Sequence, residues 1–155
     1  MLLDIPVYPS VDGSEAWIDS IDQAGKTTHH RHSGDAQIFA LICRIRDKFG
    51  TEDAQRVLYY EGVEKYATFG PASSDCYTTL FIHPTNGVLA FVTNHAIVEQ
   101  TANVNFNLEE LGLADKNLEV IDTIYNRKLP ISDSGEVSLP LKSERRTYLW
   151  LKPVP

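Results

Sequence analysis

"YTTLFIHPTNGVLAFVTN", residues 77–94, holds two apolar runs on either side of Pro84-Thr85-Asn86-Gly87. Asn-Gly between apolar runs is a strong short-range hairpin signal, because glycine tolerates the positive φ that tight turns need. Tyr77–His83 and Val88–Asn94 therefore read as adjacent antiparallel strands. From about residue 54 onward, the rest of the sequence follows the same grammar of short strands and turns.

Immediately downstream, "NVNFNLEELGL" (103–113) alternates Asn103, Asn105 and Asn107 with Val104, Phe106 and Leu108. A period of two places the apolar residues on one face of a strand and the asparagines on the other. Glu109-Glu110-Leu111-Gly112 then reads as the turn that releases the strand. Further strands are predicted at Arg56–Glu61, Leu118–Tyr125, Lys128–Ile131, Glu136–Leu139 and Thr147–Leu151, with Asp133-Ser134-Gly135 as another turn. About eight short strands arise with no helix-length crossover between them, so pairing is antiparallel. The expected fold class is all-β: an antiparallel β-sandwich with Greek-key or meander connections and a helical N-terminal extension.

That extension occupies residues 1–52, and the β-sandwich domain residues 53–155. Ser10–Ser14 supplies turn and cap chemistry before a short helix through Trp17, Ile18 and Ile21. After a polar stretch, Asp35 caps a second helix in which Ile38, Ile42, Ile45 and Phe49 form an apolar stripe, and Gly50 closes it. Such a stripe must pack against something, and a homodimer through the Asp35–Phe49 helix is one expectation.

Composition narrows the partners. The protein has 155 residues, 43% hydrophobic and 10% aromatic, as in an ordinary globular protein, and a formal net charge of −7. An acidic balance without a basic patch argues against nucleic acid, whose phosphates draw clustered Lys and Arg. No apolar run reaches the ~20 residues of a membrane-spanning helix. The opening MLLDIPVYP lacks a basic start and is broken by Asp4 and Pro6, unlike a signal peptide. Cys43 and Cys76 match no zinc or CxxC spacing, and read as buried free thiols.

Several residues invite chemistry. His29, His30 and His32 lie within four residues and could ligate a metal, but in a polar loop with no Cys or carboxylate at ligand spacing. His83 and His95 end the two hairpin strands, and Asp75 or Asp122 would complete an acid–base pair. Ser73-Ser74-Asp75-Cys76 offers hydroxyl and thiol nucleophiles outside any nucleophile-elbow or cysteine-protease pattern. Carboxylate pairs such as Asp19/Asp22 and Glu109/Glu110 are too easily found among 21 acidic residues to point to glycosidase chemistry. Exposed aromatic faces can stack on the C–H face of a pyranose; Tyr66 and Phe69, in the loop Gly62–Pro71, and Trp17 are the candidates for carbohydrate contact. No cofactor is implied.

Taken together, "VLAFVTN", "ANVNFNLEELGL", "LEVIDTIYNRKLP" and "GEVSLPLKSERRTYLWLKP" resemble the C-terminal β-sandwich domain that follows the catalytic (β/α)8 barrel in many glycoside hydrolases. The resemblance covers about residues 54–153. It implies an asparagine-rich strand closed by a Leu-Gly turn, then an aliphatic strand ending at Asp122, then a last strand at Tyr148–Leu151. It also implies that the Asp35–Phe49 helix stands where the last barrel helix leads into the sandwich. A barrel takes about 250 residues, and this sequence has no room for one. The family's catalytic carboxylates sit in that barrel, so no catalytic residue carries over. The implied role is an accessory domain assisting a carbohydrate-active catalytic barrel. A stand-alone carbohydrate-binding module, and a small enzyme built around His83, His95 and Asp75, are the alternatives.

Overall fold

In the computed structural model, residues 33–70, 73, 75–142 and 146–155 are described. The protein divides into two compact units, Met1–Lys48 and Phe49–Pro155. Helix α1 (Ser33–Phe49) closes with Gly50 in the left-handed region, φ 81°, the conformation that glycine adopts without a Cβ clash.

Nine strands follow: β1 (Gln55–Val57), β2 (Ala67–Phe69), β3 (Cys76–His83), β4 (Gly87–Asn94), β5 (Gln100–Phe106), β6 (Asn117–Asp122), β7 (Arg127–Leu129), β8 (Glu136–Leu141) and β9 (Arg146–Val154). One sheet has the order β1-β3-β4-β9-β6-β7 and the other β2-β5-β8. Among the described residues, every strand pairing is antiparallel. The last strand inserts between β4 and β6, a Greek-key placement that joins the first half of the large sheet to the second. Among the described residues, the fold is an all-β, sandwich-like arrangement preceded by one helix.

The core lies between the sheets. Ala102, Val104 and Phe106 of β5 and Val137, Leu139 and Leu141 of β8 point inward and meet Val88, Ala90 and Val92 of β4 and Leu149 and Leu151 of β9. On the small sheet one face is wet, so β8 runs strictly exposed–buried along Glu136–Leu141. β4 is buried at all eight positions, which is why its sequence is a continuous apolar run rather than an alternation.

The 77–94 hairpin pairs His83 with Gly87 across a three-residue loop. Gly87 has φ 85°, and a Cβ there would stand 2.1 Å from the Leu151 carbonyl oxygen. The turn is stapled by the His83 ring, whose Nδ1 accepts from the backbone N–H of Thr85 and of Asn86, at 3.2 and 3.1 Å. Trp150 Nε1 donates to the Asn86 carbonyl, and Asn86 Nδ2 donates to that of Phe49, both at 2.7 Å. Phe49 itself is fully buried, edge-on to the rings of both His83 and Trp150.

At the other end of β4, Asn94 is buried. Its Nδ2 reaches the carbonyls of Val98, Leu141 and Lys142 at 2.9, 3.1 and 3.1 Å, and its Oδ1 accepts from Ala96 N–H. One side chain thus ties the exit from the large sheet to the end of β8 in the small one.

Two expectations need correction. The strand predicted over Arg56–Glu61 stops at Val57, because Glu61 N–H donates to Leu58 C=O and turns the backbone, and Gly62 follows in the left-handed region. The loop predicted over Gly62–Pro71 contains a 3₁₀ turn, Val63–Lys65, and strand β2, which pairs Ala67, Thr68 and Phe69 with Phe106, Asn105 and Val104.

Two tests follow from these contacts. Gly87→Ala must displace backbone as well as adopt an unfavourable φ, whereas Gly112 (φ 66°) has open space around its Cβ position. Chemical denaturation should show a loss of more than ~3 kcal/mol for Gly87→Ala but only about 1 kcal/mol for Gly112→Ala, the cost of the left-handed backbone alone. Asn94→Ala strips partners from two buried backbone groups, Leu141 C=O and Ala96 N–H, and should cost ~3 kcal/mol in the same measurement.

Candidate functional site

The outward face of the small sheet forms a groove of about 490 Å³. Its floor includes Thr68 and Asn105, which are register partners on β2 and β5. Lys65, Glu109, Asp133 and Ser134 contribute to its walls. Each wall is held by backbone chemistry. Asn107 N–H donates to Tyr66 C=O at 2.8 Å, and Asn107 Nδ2 donates to Lys65 C=O at 3.3 Å, fixing the 3₁₀ turn against the end of β5. The Asn107 Oδ1 accepts from Glu110 N–H, and Leu113 N–H donates to Leu108 C=O at 2.7 Å, closing the Glu109–Gly112 turn. Gly135 (φ 86°) lets the Asp133–Ser134 turn lie on β5, since a Cβ there would be 2.2 Å from the Phe106 carbonyl oxygen.

Beside the groove, Lys65 Nζ pairs with Glu110 Oε2 at 2.8 Å. The hydrogen bond to Glu110 holds the lysine above its ordinary range. Among the described residues, Asn105 is the one asparagine of the 103–107 alternation whose side chain has no protein hydrogen bond; Asn103 Oδ1 accepts from Ser138 Oγ at 2.6 Å. Thr68, Asn105 and Ser134 provide neutral donors and acceptors, and Glu109 and Asp133 provide acceptors. These groups can exchange hydrogen bonds with a polar ligand.

A second surface lies at the β1/β3 edge of the large sheet. Tyr60, Tyr59, Tyr77 and His95 form a row of ring contacts, with successive centroids 4.9, 5.5 and 5.3 Å apart. Each ring stands edge-on to the next, at 90°, 69° and 84°. Tyr59, Tyr60 and Tyr77 are 41%, 60% and 40% exposed, so these are not core aromatics.

The residues singled out in the sequence do not gather at one point, although His95 and Asp75 are neighbours through their backbones. His83 and His95 stand at opposite ends of the eight-residue β4, about 25 Å apart at ~3.3 Å per residue. His83 uses Nδ1 as an acceptor in its own turn, which leaves that atom no role as a base. The His95 ring stands edge-on to Tyr77, and the His95 backbone N–H donates to Asp75 C=O at 2.9 Å. Asp122 is fully buried; it accepts from Thr147 Oγ1 at 2.5 Å, Arg127 Nε at 3.0 Å and Tyr125 N–H at 3.4 Å. Those bonds clamp the β6–β7 turn to β9 and occupy both carboxylate oxygens.

Ser73 Oγ donates to Thr101 C=O and accepts from Asn103 N–H, at 3.0 and 3.1 Å, which makes it a brace between the β2–β3 connection and β5. Tyr66 and Phe69 are half-buried and pack against the core, so each offers a smaller stacking face than the edge tyrosines. Lys65 Nζ also lies 5.2 Å from the Tyr66 ring centroid. Trp17, His29, His30, His32, Ser74, Asp19 and Asp22 lie outside the described residues.

No protein-family model matches the sequence, and no curated protein matches it. Among solved structures, an Anoxybacillus alpha-amylase superposes with a TM-score of 0.56 at 12% identity, over 84% of this chain and 25% of that one. A Bacillus halodurans protein assigned as an alpha-N-acetylgalactosaminidase gives 0.44 at 16% identity, over 57% and 21%. A rhamnosidase of Novosphingobium sp. PP1Y gives 0.39 at 14%, over 83% and 14%. This protein thus spans a quarter or less of the length of each of these glycoside hydrolases. What it shares with the amylase is a fold.

Cys76 is buried and free, and burial, then the charge of Asp75, pushes its thiol above the ordinary range. Cys43 is half-buried and free. Iodoacetamide at pH 8 is therefore expected to label Cys43 first in the native protein. Cys76 should label only when denaturant opens the sandwich, a distinction that peptide mass mapping reads directly.

Proposed function

We propose that this protein is a non-catalytic accessory β-sandwich that stabilises, or presents substrate to, a carbohydrate-active enzyme. The observation that supports it most is the two-sheet fold itself: its counterpart makes up a quarter of an alpha-amylase. The distance between His83 and His95, and the structural bonds that occupy both oxygens of Asp122, agree with this, because acid–base chemistry needs its groups within hydrogen-bond reach of one substrate. In this reading the groove between Lys65 and Ser134 receives sugar hydroxyls, with Thr68 and Asn105 as its floor.

A stand-alone carbohydrate-binding module is the second reading, and the exposed tyrosines favour it. The two differ in what accompanies the domain, not in what its surface does. The purified protein should hydrolyse soluble starch and nitrophenyl α- and β-glycosides no faster than a heat-denatured control. Turnover that is lost on denaturation would assign chemistry to this protein and overturn both readings. The DNA flanking the coding region should carry a reading frame for a (β/α)8 barrel under the accessory reading; flanks without one favour the free-standing module.

A further inference from the structure

We infer that the Tyr60–Tyr59–Tyr77–His95 row of rings is a stacking surface for a neutral, curved glucan of the α-1,4-linked kind. This rests on the reading of the domain as glycan-associated, and it assigns the contact to residues other than Tyr66 and Phe69. Three observations carry it.

The first is exposure. Three tyrosines at 40–60% exposure keep large apolar ring surfaces in water while neighbouring aromatics of the same sheet are buried. A pyranose presents a C–H face that carries partial positive charge, and the π face of a tyrosine is its complement. Among the described residues, the Tyr59 and Tyr77 hydroxyls have no protein hydrogen bond, so they remain to pair with sugar hydroxyls.

The second is shape. The ring-to-ring step, 4.9–5.5 Å, is the size of one sugar unit. Every ring is turned by 69–90° against the next. A flat β-1,4-linked ribbon stacks on rings lying in one plane; a row that turns at each step suits a polymer that curves. The edge-to-face contacts also hold the rings in place before a ligand arrives, which lowers the ordering cost of binding.

The third is charge. Glu61, exposed, follows Tyr60 directly in sequence, and the exposed Asp75 lies two residues before Tyr77 and accepts the backbone N–H of His95 through its carbonyl. Like charge disfavours uronate-bearing or sulfated polysaccharides. A neutral glucan meets no such penalty.

Affinity electrophoresis in native gels containing soluble starch tests this, with hydroxyethyl cellulose as the flat, β-1,4-linked counterpart. The wild type should be retarded by starch and not by hydroxyethyl cellulose. Tyr60→Ala/Tyr77→Ala should weaken the starch affinity about tenfold or more, whereas Tyr66→Ala should leave it within about twofold. The single variant Tyr60→Ala, at the most exposed ring of the cluster, should weaken it in the same direction, and it serves if thermal melting shows that the double variant fails to fold.

Starch retardation that the tyrosine variants do not change would overturn this surface while leaving the glycan-associated reading in place. Absence of retardation by either polysaccharide would overturn both. Equal retardation by the two would overturn the assignment to a curved glucan. Self-association of the wild type in light scattering, lost in the double variant, would assign the patch to a second copy of the protein instead.

Discussion

The sandwich depends on one buried amide. At Asn94 the backbone leaves the large sheet for the small one, and just beyond Leu141 it leaves the small sheet to return. Both departures occur at the same end of the sandwich, where backbone groups leave their ladders. Asn94 collects them: its amide nitrogen serves Val98, Leu141 and Lys142, and its oxygen serves Ala96. A buried polar group without a partner costs roughly as much as a lost hydrogen bond, and here the Leu141 carbonyl and the Ala96 N–H would be stranded together. Fixing the two crossings fixes the separation and register of the sheets, and from that follows the meeting of β4 and β9 with β5 and β8 in the core. At the opposite end, Asn86 and His83 hold the hairpin loop in a similar way, with Phe49 as the apolar plug beneath it.

Much of this architecture is readable in the residues because sheet burial writes itself as period. Val104 and Phe106 alternate with asparagines on β5, which has one wet face. Val88–Val92 do not alternate, which fits β4, buried on both. The strands that sequence reasoning missed or misplaced are those where period has no length to act. β2 has three residues, too few for any alternation, and it exists because its backbone pairs with β5. β9 runs on through Pro153, although proline is a strand breaker. It can do so because β4 has already ended at Gly87, so on that side no ladder needs the missing N–H, while β6 still pairs with β9 at Leu118. Pro140 is tolerated for a related reason: β8 is an edge strand.

The candidate surfaces were less legible, and for a specific reason. Tyr59 and Tyr60 sit in a segment whose Val and Tyr content reads as strand; on a strand, consecutive side chains point to opposite faces, and one of the pair would be inside. The turn that begins at Leu58 cancels the alternation and leaves both outside. Tyr77 looks like any aromatic in a hairpin strand, and only the short reach of β1, which ends at Val57, leaves the ring uncovered at the sheet edge. Nothing in the local sequence reports where a neighbouring strand stops. Tyr66 and Phe69, by contrast, looked exposed because a short strand was read as a loop.

The asparagine-rich β5 shows why scaffold and site are not alternatives in such a fold. Its inward residues build the core. Of its outward residues and the one that follows, Asn103 is engaged by the bond from Ser138, and Asn107 is engaged by Tyr66, Lys65 and Glu110. Those bonds set the walls of the groove, and Asn105 between them is left facing its floor. A groove of this kind needs a rigid backbone more than it needs a special motif, since its polar groups are ordinary amides and alcohols held at fixed spacing. The same pleat that hides Val104 and Phe106 supplies that spacing, so the groove is a by-product of the register that stabilises the fold.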